Sequence, residues 1–213
     1  MLLIKDLTHD QALPRSPRAL QSPRLAAGRN GLPYETVILG LGAPKPPEMK
    51  AHNPADTIPL MIDGDVVLFE SVTILEYIAA TYGPTALVPA HDAPNFLDYR
   101  QMLMFGEATL AGPLNAIVAT MFRAPDDQKQ NYTIDAIRAA FAKRIAVVDQ
   151  RLDHGAFMAG DAFTLADISV RYGVNFAHSI EPMGLAPMIP ARVVDYLKRL
   201  TDRPAYQRMM QVK

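Results

Sequence analysis

Glu70 and Ser71 stand where an apolar run gives way to a helical pattern, and Ile58-Pro59 stands just before the preceding apolar run. Between them, Leu60 to Ile62, then Asp63-Gly64, then Val66 to Phe69 read as strand, tight turn and strand. Asp-Gly between two apolar runs is a strong hairpin signal. The spacing therefore predicts that Pro59 enters a hairpin and Glu70-Ser71 leaves it at the same end of a small sheet. Such an end would offer exposed backbone groups, a carboxylate and a helix N-terminus, whose N–H groups and dipole favour anions. That is chemistry for holding a short peptide. Two plainer roles accompany it. Ser71 would also cap its helix. Pro59 read from residues alone would be trans, since only about 5–6% of such bonds are cis.

Other chemistry is sparse. The chain has no cysteine, which excludes disulfides, thiolate metal sites and a cysteine nucleophile. His9, His52, His91, His154 and His178 form no short metal-ligand spacing, so no metal is expected, and His52 is read as a surface residue. Thr164-x-x-Asp167 is a capping box, flanked by Phe163 and Ile168 as a hydrophobic staple, and is read as a folding element with no ligand contact.

The elements that must position these residues fall into two groups. Met1 to Asp6 reads as a strand, residues 22 to 30 as a helix with Pro23 at its first position, and Tyr34 to Leu39 as a second strand. Gly40 to Pro54 reads as a Pro-rich loop, followed by the hairpin and a helix from Ser71 to about Tyr82. The order is β-α-β, then β-β-α. Gly83 to Pro94 is a linker, and all that follows reads as helix. Residues 95 to 122 form a long apolar segment with Pro113 as the expected kink. Ile134, Ile137, Phe141, Ile145, Val148 and Leu152 make one continuous stripe on a helix over 132 to 153. Further helices are expected from Thr164, near Pro190 and near Pro204. The domains are thus residues 1–82, a linker over 83–94, and an all-helical part over 95–213.

A chain of 213 residues, 49% apolar and 20% charged with a net charge of −1, is ordinary for a globular protein. It has no basic field for nucleic acid or anionic membrane. No uninterrupted apolar stretch reaches the roughly 20 residues of a membrane helix, and MLLIKDL is too soon acidic for a signal peptide. A cytoplasmic protein is expected.

Four segments resemble the cytosolic glutathione S-transferase family over nearly the whole chain. Gly31-Leu32-Pro33-Tyr34-Glu35 resembles its "GLPYE", Asn53-Pro54 through Ile58-Pro59 its "NPxGxVP", Glu70-Ser71 through Tyr77 its "ESxxIxxYL", and Gly160 through Ile168 its "GDxFTxADI". Leu87-Val88-Pro89 and Arg203-Pro204-Ala205-Tyr206 agree more loosely. The resemblance implies an α/β N-terminal thioredoxin-like domain plus an all-α C-terminal domain, and a homodimer. It implies an enzyme that conjugates the glutathione thiolate to a small hydrophobic electrophile; the alternative is a non-catalytic member that binds ligands or partners. The Ile58 backbone, turned outward by a cis Pro59, would pair with the cysteinyl unit of glutathione. Glu70 and Ser71 would take the γ-glutamyl end. Met102, Met104 and Phe105 fall where the family builds its electrophile pocket, although core packing explains them equally.

The match fails where the family places a Tyr, Ser or Cys that favours the thiolate. The segment after the first strand has neither Tyr nor Cys, is longer than usual, and is interrupted by two Ser-Pro-Arg triplets. Ser16 is the first candidate for this catalytic role, Ser22 the second and Thr8 the third; each is otherwise a helix cap or loop residue. Asp56 also replaces the pattern's glycine, and Thr57 stands where relatives often have a cation for the glycyl carboxylate.

Overall fold

The computed structural model describes residues 2–5, 35–39 and 44–211. Ser16, Ser22, Thr8 and the helix expected over 22–30 lie outside the described residues. The chain divides into two compact units, Met1–Thr85 with Arg203–Lys213, and Ala86–Asp202.

In the first unit, β1 (Leu2–Lys5), β2 (Glu35–Ile38), β3 (Leu60–Asp63) and β4 (Val66–Phe69) form one sheet in the order β2-β1-β3-β4. β1 runs antiparallel to β2 and parallel to β3. A β-α-β crossover joins parallel strands, so β1 and β2 are not such a pair. β3 and β4 are antiparallel with Leu60 opposite Phe69 and Asp63 opposite Val66. That register makes Gly64-Asp65 the turn, one residue later than expected from sequence, with Gly64 at φ +56° supplying the left-handed backbone. The expected loop over 40–54 contains a short helix, α1 (Pro47–His52), which Pro47 opens at its first position. Met49 on α1 and Leu60 on β3 form the buried centre here, with Val37, Leu39, Ile62 and Val67 packed around them. α2 (Ser71–Thr81) buries Ile74, Leu75 and Ile78. The last helix, α8 (Pro204–Gln211), buries Tyr206 and Met209.

The second unit is helical. α3 (Phe96–Met104) runs into a π-helical segment (Phe105–Ala111) and then α4 (Leu114–Arg123). The irregularity therefore begins before Pro113. The Gly112 N–H donates to the Glu107 carbonyl at 2.8 Å, the wide-turn bond of a π-helix. Its neighbours account for the widening. Gly106 lies against α6 (Leu165–Ser179) so closely that a Cβ there would meet the Ser169 and Val170 backbone at 2.4 Å. The Ser169 hydroxyl donates to the Leu103 carbonyl at 2.7 Å, an intrusion of the kind that distorts a helical ladder. By length and composition alone the run Phe96–Arg123 could cross a membrane, although Asp98, Arg100 and Glu107 interrupt its apolar residues. Its residues Tyr99, Met102, Leu103, Leu110 and Leu114 are buried.

α5 (Tyr132–Arg151) begins at Asn131, whose side chain caps the Ile134 N–H at 3.1 Å. Four of its stripe residues, Ile134, Phe141, Ile145 and Val148, are buried, and Ile137 and Leu152 are half-buried. α7 (Ala191–Thr201) adds Val193, Tyr196, Leu197 and Leu200 to the core. Thr164 and Asp167 form the expected capping box at the start of α6. Asp167 does more than close a box. Its Oδ2 accepts from the Thr164 N–H (2.8 Å) and hydroxyl (3.1 Å), and its Oδ1 from the Met158 N–H (2.8 Å) and the Tyr196 hydroxyl (2.9 Å). Burial pushes the carboxyl up despite these donors.

Candidate functional site

The β3–β4 register decides the site. Because Leu60 pairs with Phe69, Ile58-Pro59 enters and Glu70-Ser71 leaves at one end of the sheet. The Ile58-Pro59 bond is cis. Pro59 is buried while Ile58 is partly exposed, and among the described residues no hydrogen bond uses the Ile58 backbone.

Asn53 builds the approach to Ile58. It is fully buried, and its side chain donates to the Thr57 carbonyl (2.9 Å) and hydroxyl (3.1 Å) while accepting from the Ala55 N–H (3.1 Å). The Asp56 N–H donates to the Asn53 carbonyl at 2.9 Å. These bonds close the chain into an Asx-type turn with Asp56 at φ +53°. A left-handed backbone explains why the related pattern has glycine there; Asp is among the few other residues that tolerate it.

Asp56 is not left as a bare charge. Lys45 approaches its carboxylate at 3.0 Å and also donates to its carbonyl. Lys45 was not singled out from sequence, although it is a cation in the Pro-rich loop leading to Asn53-Pro54. A cation from another stretch of chain thus lies beside Asp56.

Glu70 is exposed and has φ +75°, the other described non-glycine residue with left-handed φ. Such a backbone in a residue that disfavours it points to a function imposed on the position. Its carbonyl accepts from the Ile74 N–H at 3.0 Å, so the main chain starts the helix while the carboxylate makes no cap. Ser71 is consequently the first helical residue rather than the cap expected from sequence, and it is buried. Among the described residues no side chain caps the first-turn N–H groups of α2. At the far end of the hairpin, Asp63 accepts from the Tyr77 hydroxyl at 2.9 Å and from the Tyr82 hydroxyl. These bonds pin α2 along the hairpin and so fix where its N-terminus lies. Burial first, then Asp63, pushes both phenols up.

Ile58, Glu70 and the start of α2 thus meet at one end of the sheet, and Lys45 lies against the turn that leads into Ile58. The family model for the glutathione S-transferase N-terminal domain matches residues 14–86. Glutathione S-transferase GstB of Escherichia coli K12 is 27% identical over 188 residues, covering 85% of this chain and 87% of that protein. The chain is thus similar to glutathione S-transferases over most of its length. Two solved glutathione transferases are also similar, each 25% identical. The one from Burkholderia graminis, with two glutathione molecules per subunit, has a TM-score of 0.75 and covers 98% of this chain and 87% of its own. The theta-class enzyme of Xanthomonas axonopodis pv. citri, with glutathione bound, has a TM-score of 0.72 and covers 100% and 98%.

The electrophile-pocket residues suggested by sequence separate in the structure. Met102 is buried in the helical core, Met104 is exposed, and Phe105 is half-buried in the π-helical segment.

Proposed function

We propose that this chain joins the sulfur of glutathione to small hydrophobic electrophiles, as a cytoplasmic homodimer acting in detoxification. The observation that carries the reading is the convergence of Ile58, Pro59, Glu70 and Ser71 at one end of the sheet. The names and bound ligands of the relatives support it. Glutathione is an extended tripeptide thiol. Its cysteinyl backbone pairs with the Ile58 N–H and C=O as an added strand. Glu70 accepts from the γ-glutamyl ammonium, and Ser71 with the first-turn amides of α2 holds the neighbouring carboxylate. The glycyl carboxylate is left for the loop that leads into Ile58, where Lys45 is the cation.

Held at both ends, the thiol still needs help to ionise, because a free thiol has a pKa near about 8.5. A hydroxyl donor beside the sulfur favours the thiolate, and Ser16 or Ser22 fills that role. The thiolate then attacks the electrophilic carbon. A C–S bond forms, the bond to the leaving group breaks with its electron pair, and the thiol proton passes to solvent. Calorimetry with glutathione tests the reading. Glu70→Ala is expected to weaken binding by at least about 1.5 kcal/mol, the value of a charge-assisted hydrogen bond. Unchanged affinity would refute it.

A further inference from the structure

The Lys45–Asp56 pair gives this site a property of its own. We propose that Asp56 is a built-in carboxylate that competes with the ligand's C-terminal carboxylate for Lys45. The site would then accept tripeptide thiols with a blocked C-terminal carboxyl about as well as the free acid. This rests on the glutathione reading above and adds a specificity determinant to it.

Three observations carry the inference. Lys45 meets Asp56 twice, through the carboxylate at 3.0 Å and through the carbonyl, which uses two of the three donors of its ammonium. Asp56 does not reach Lys45 by a chance side-chain excursion. Its backbone is fixed at φ +53° by the turn that buried Asn53 builds, two residues before Ile58. Both members of the pair remain open to solvent, with side-chain exposures of 32% and 48%, so a ligand can reach them.

An arriving carboxylate must therefore displace Asp56 from Lys45 or lie beside a like charge. Two like charges about 4 Å apart in water lower affinity about fivefold, which roughly cancels the attraction of one exposed cation. A ligand whose terminal carboxyl is an ester meets neither effect. Asn in place of Asp56 keeps the left-handed backbone and removes the competing charge.

Calorimetry with glutathione and with its glycyl monoethyl ester separates the outcomes. Wild type is expected to bind acid and ester within about twofold of each other. Asp56→Asn should tighten the acid about three- to tenfold and leave the ester unchanged, and Lys45→Ala in the Asp56→Asn background should abolish that gain. A wild type that prefers the acid by tenfold or more overturns the inference and leaves the glutathione site standing. So does an Asp56→Asn variant that shifts both ligands equally or neither. If wild type binds neither ligand, the glutathione reading fails and this inference falls with it.

Discussion

Replacing Asp167 should unfold more of this protein's stability than any ligand contact does, and the cost can be worked from its partners. Each carboxylate oxygen faces one backbone amide and one hydroxyl. Oδ2 holds the Thr164 N–H and hydroxyl, and Oδ1 holds the Met158 N–H and the Tyr196 hydroxyl. In Asp167→Ala the hydroxyls can turn to other partners but the two amides cannot. A stranded buried N–H costs about 1–3 kcal/mol. Two of them cost about 2–6 kcal/mol, which the relief of no longer burying a carboxylate trims to about 2–4 kcal/mol. Asp167→Asn does little better, because whichever way the amide is turned, its NH2 faces one of the fixed N–H groups. Thr164→Ala and Tyr196→Phe each remove one donor and leave the carboxylate served by others, so each costs about 1 kcal/mol. Since both donate to one carboxylate, their double mutant should depart from additivity by about 0.5 kcal/mol or more. The chain has no tryptophan, so urea unfolding is best followed by far-ultraviolet circular dichroism. An Asp167→Ala protein within about 1 kcal/mol of wild type would refute the reasoning, as would strict additivity of Thr164→Ala and Tyr196→Phe. Glutathione affinity measured on Thr164→Ala should be unchanged.

Ser16→Ala, Ser22→Ala and Thr8→Ala, assayed with an activated aryl halide across pH, should single out one hydroxyl whose loss lowers the rate about 10²–10³-fold while binding barely changes; three wild-type profiles would rule out a hydroxyl there. Gly106→Ala places a Cβ at 2.4 Å from the Ser169 and Val170 backbone, so thermal unfolding should show a loss of at least about 1–3 kcal/mol, and a neutral result would mean the crossing is looser than drawn. The Tyr99 hydroxyl is buried with no hydrogen-bond partner among the described residues, and burial pushes its pKa up to about 12. Below the ordinary phenol value near 10 the hydroxyl is neutral folded and unfolded and the shift has no effect, and stability falls as pH rises from there through about 12. Tyr99→Phe should therefore be neutral or slightly stabilising at neutral pH and lose less stability than wild type between these values.

Local rules of the chain made much of this legible. The hairpin follows from two apolar runs about a turn pair, although the turn itself is Gly64-Asp65, because the left-handed position falls on the glycine. The stripe on α5 and the Thr164–Asp167 box depend on spacing within one helix, and both stand as read. So does the meeting of Ile58-Pro59 with Glu70-Ser71, since a hairpin brings its own ends together. What sequence could not supply are contacts between residues that no local period connects. Tyr196 reaches Asp167 from another helix, and Ser169 reaches the Leu103 carbonyl beside a π-helical segment that no residue pattern announces. Lys45 meets Asp56 only because buried Asn53 curls the intervening chain into a turn, so Asp56, which replaces the related pattern's glycine, is a paired charge. Spacing along the chain fixed which groups sit at the mouth of the site; their charge balance was decided by tertiary contact, because Coulomb energy depends on distance in space and not on distance in sequence.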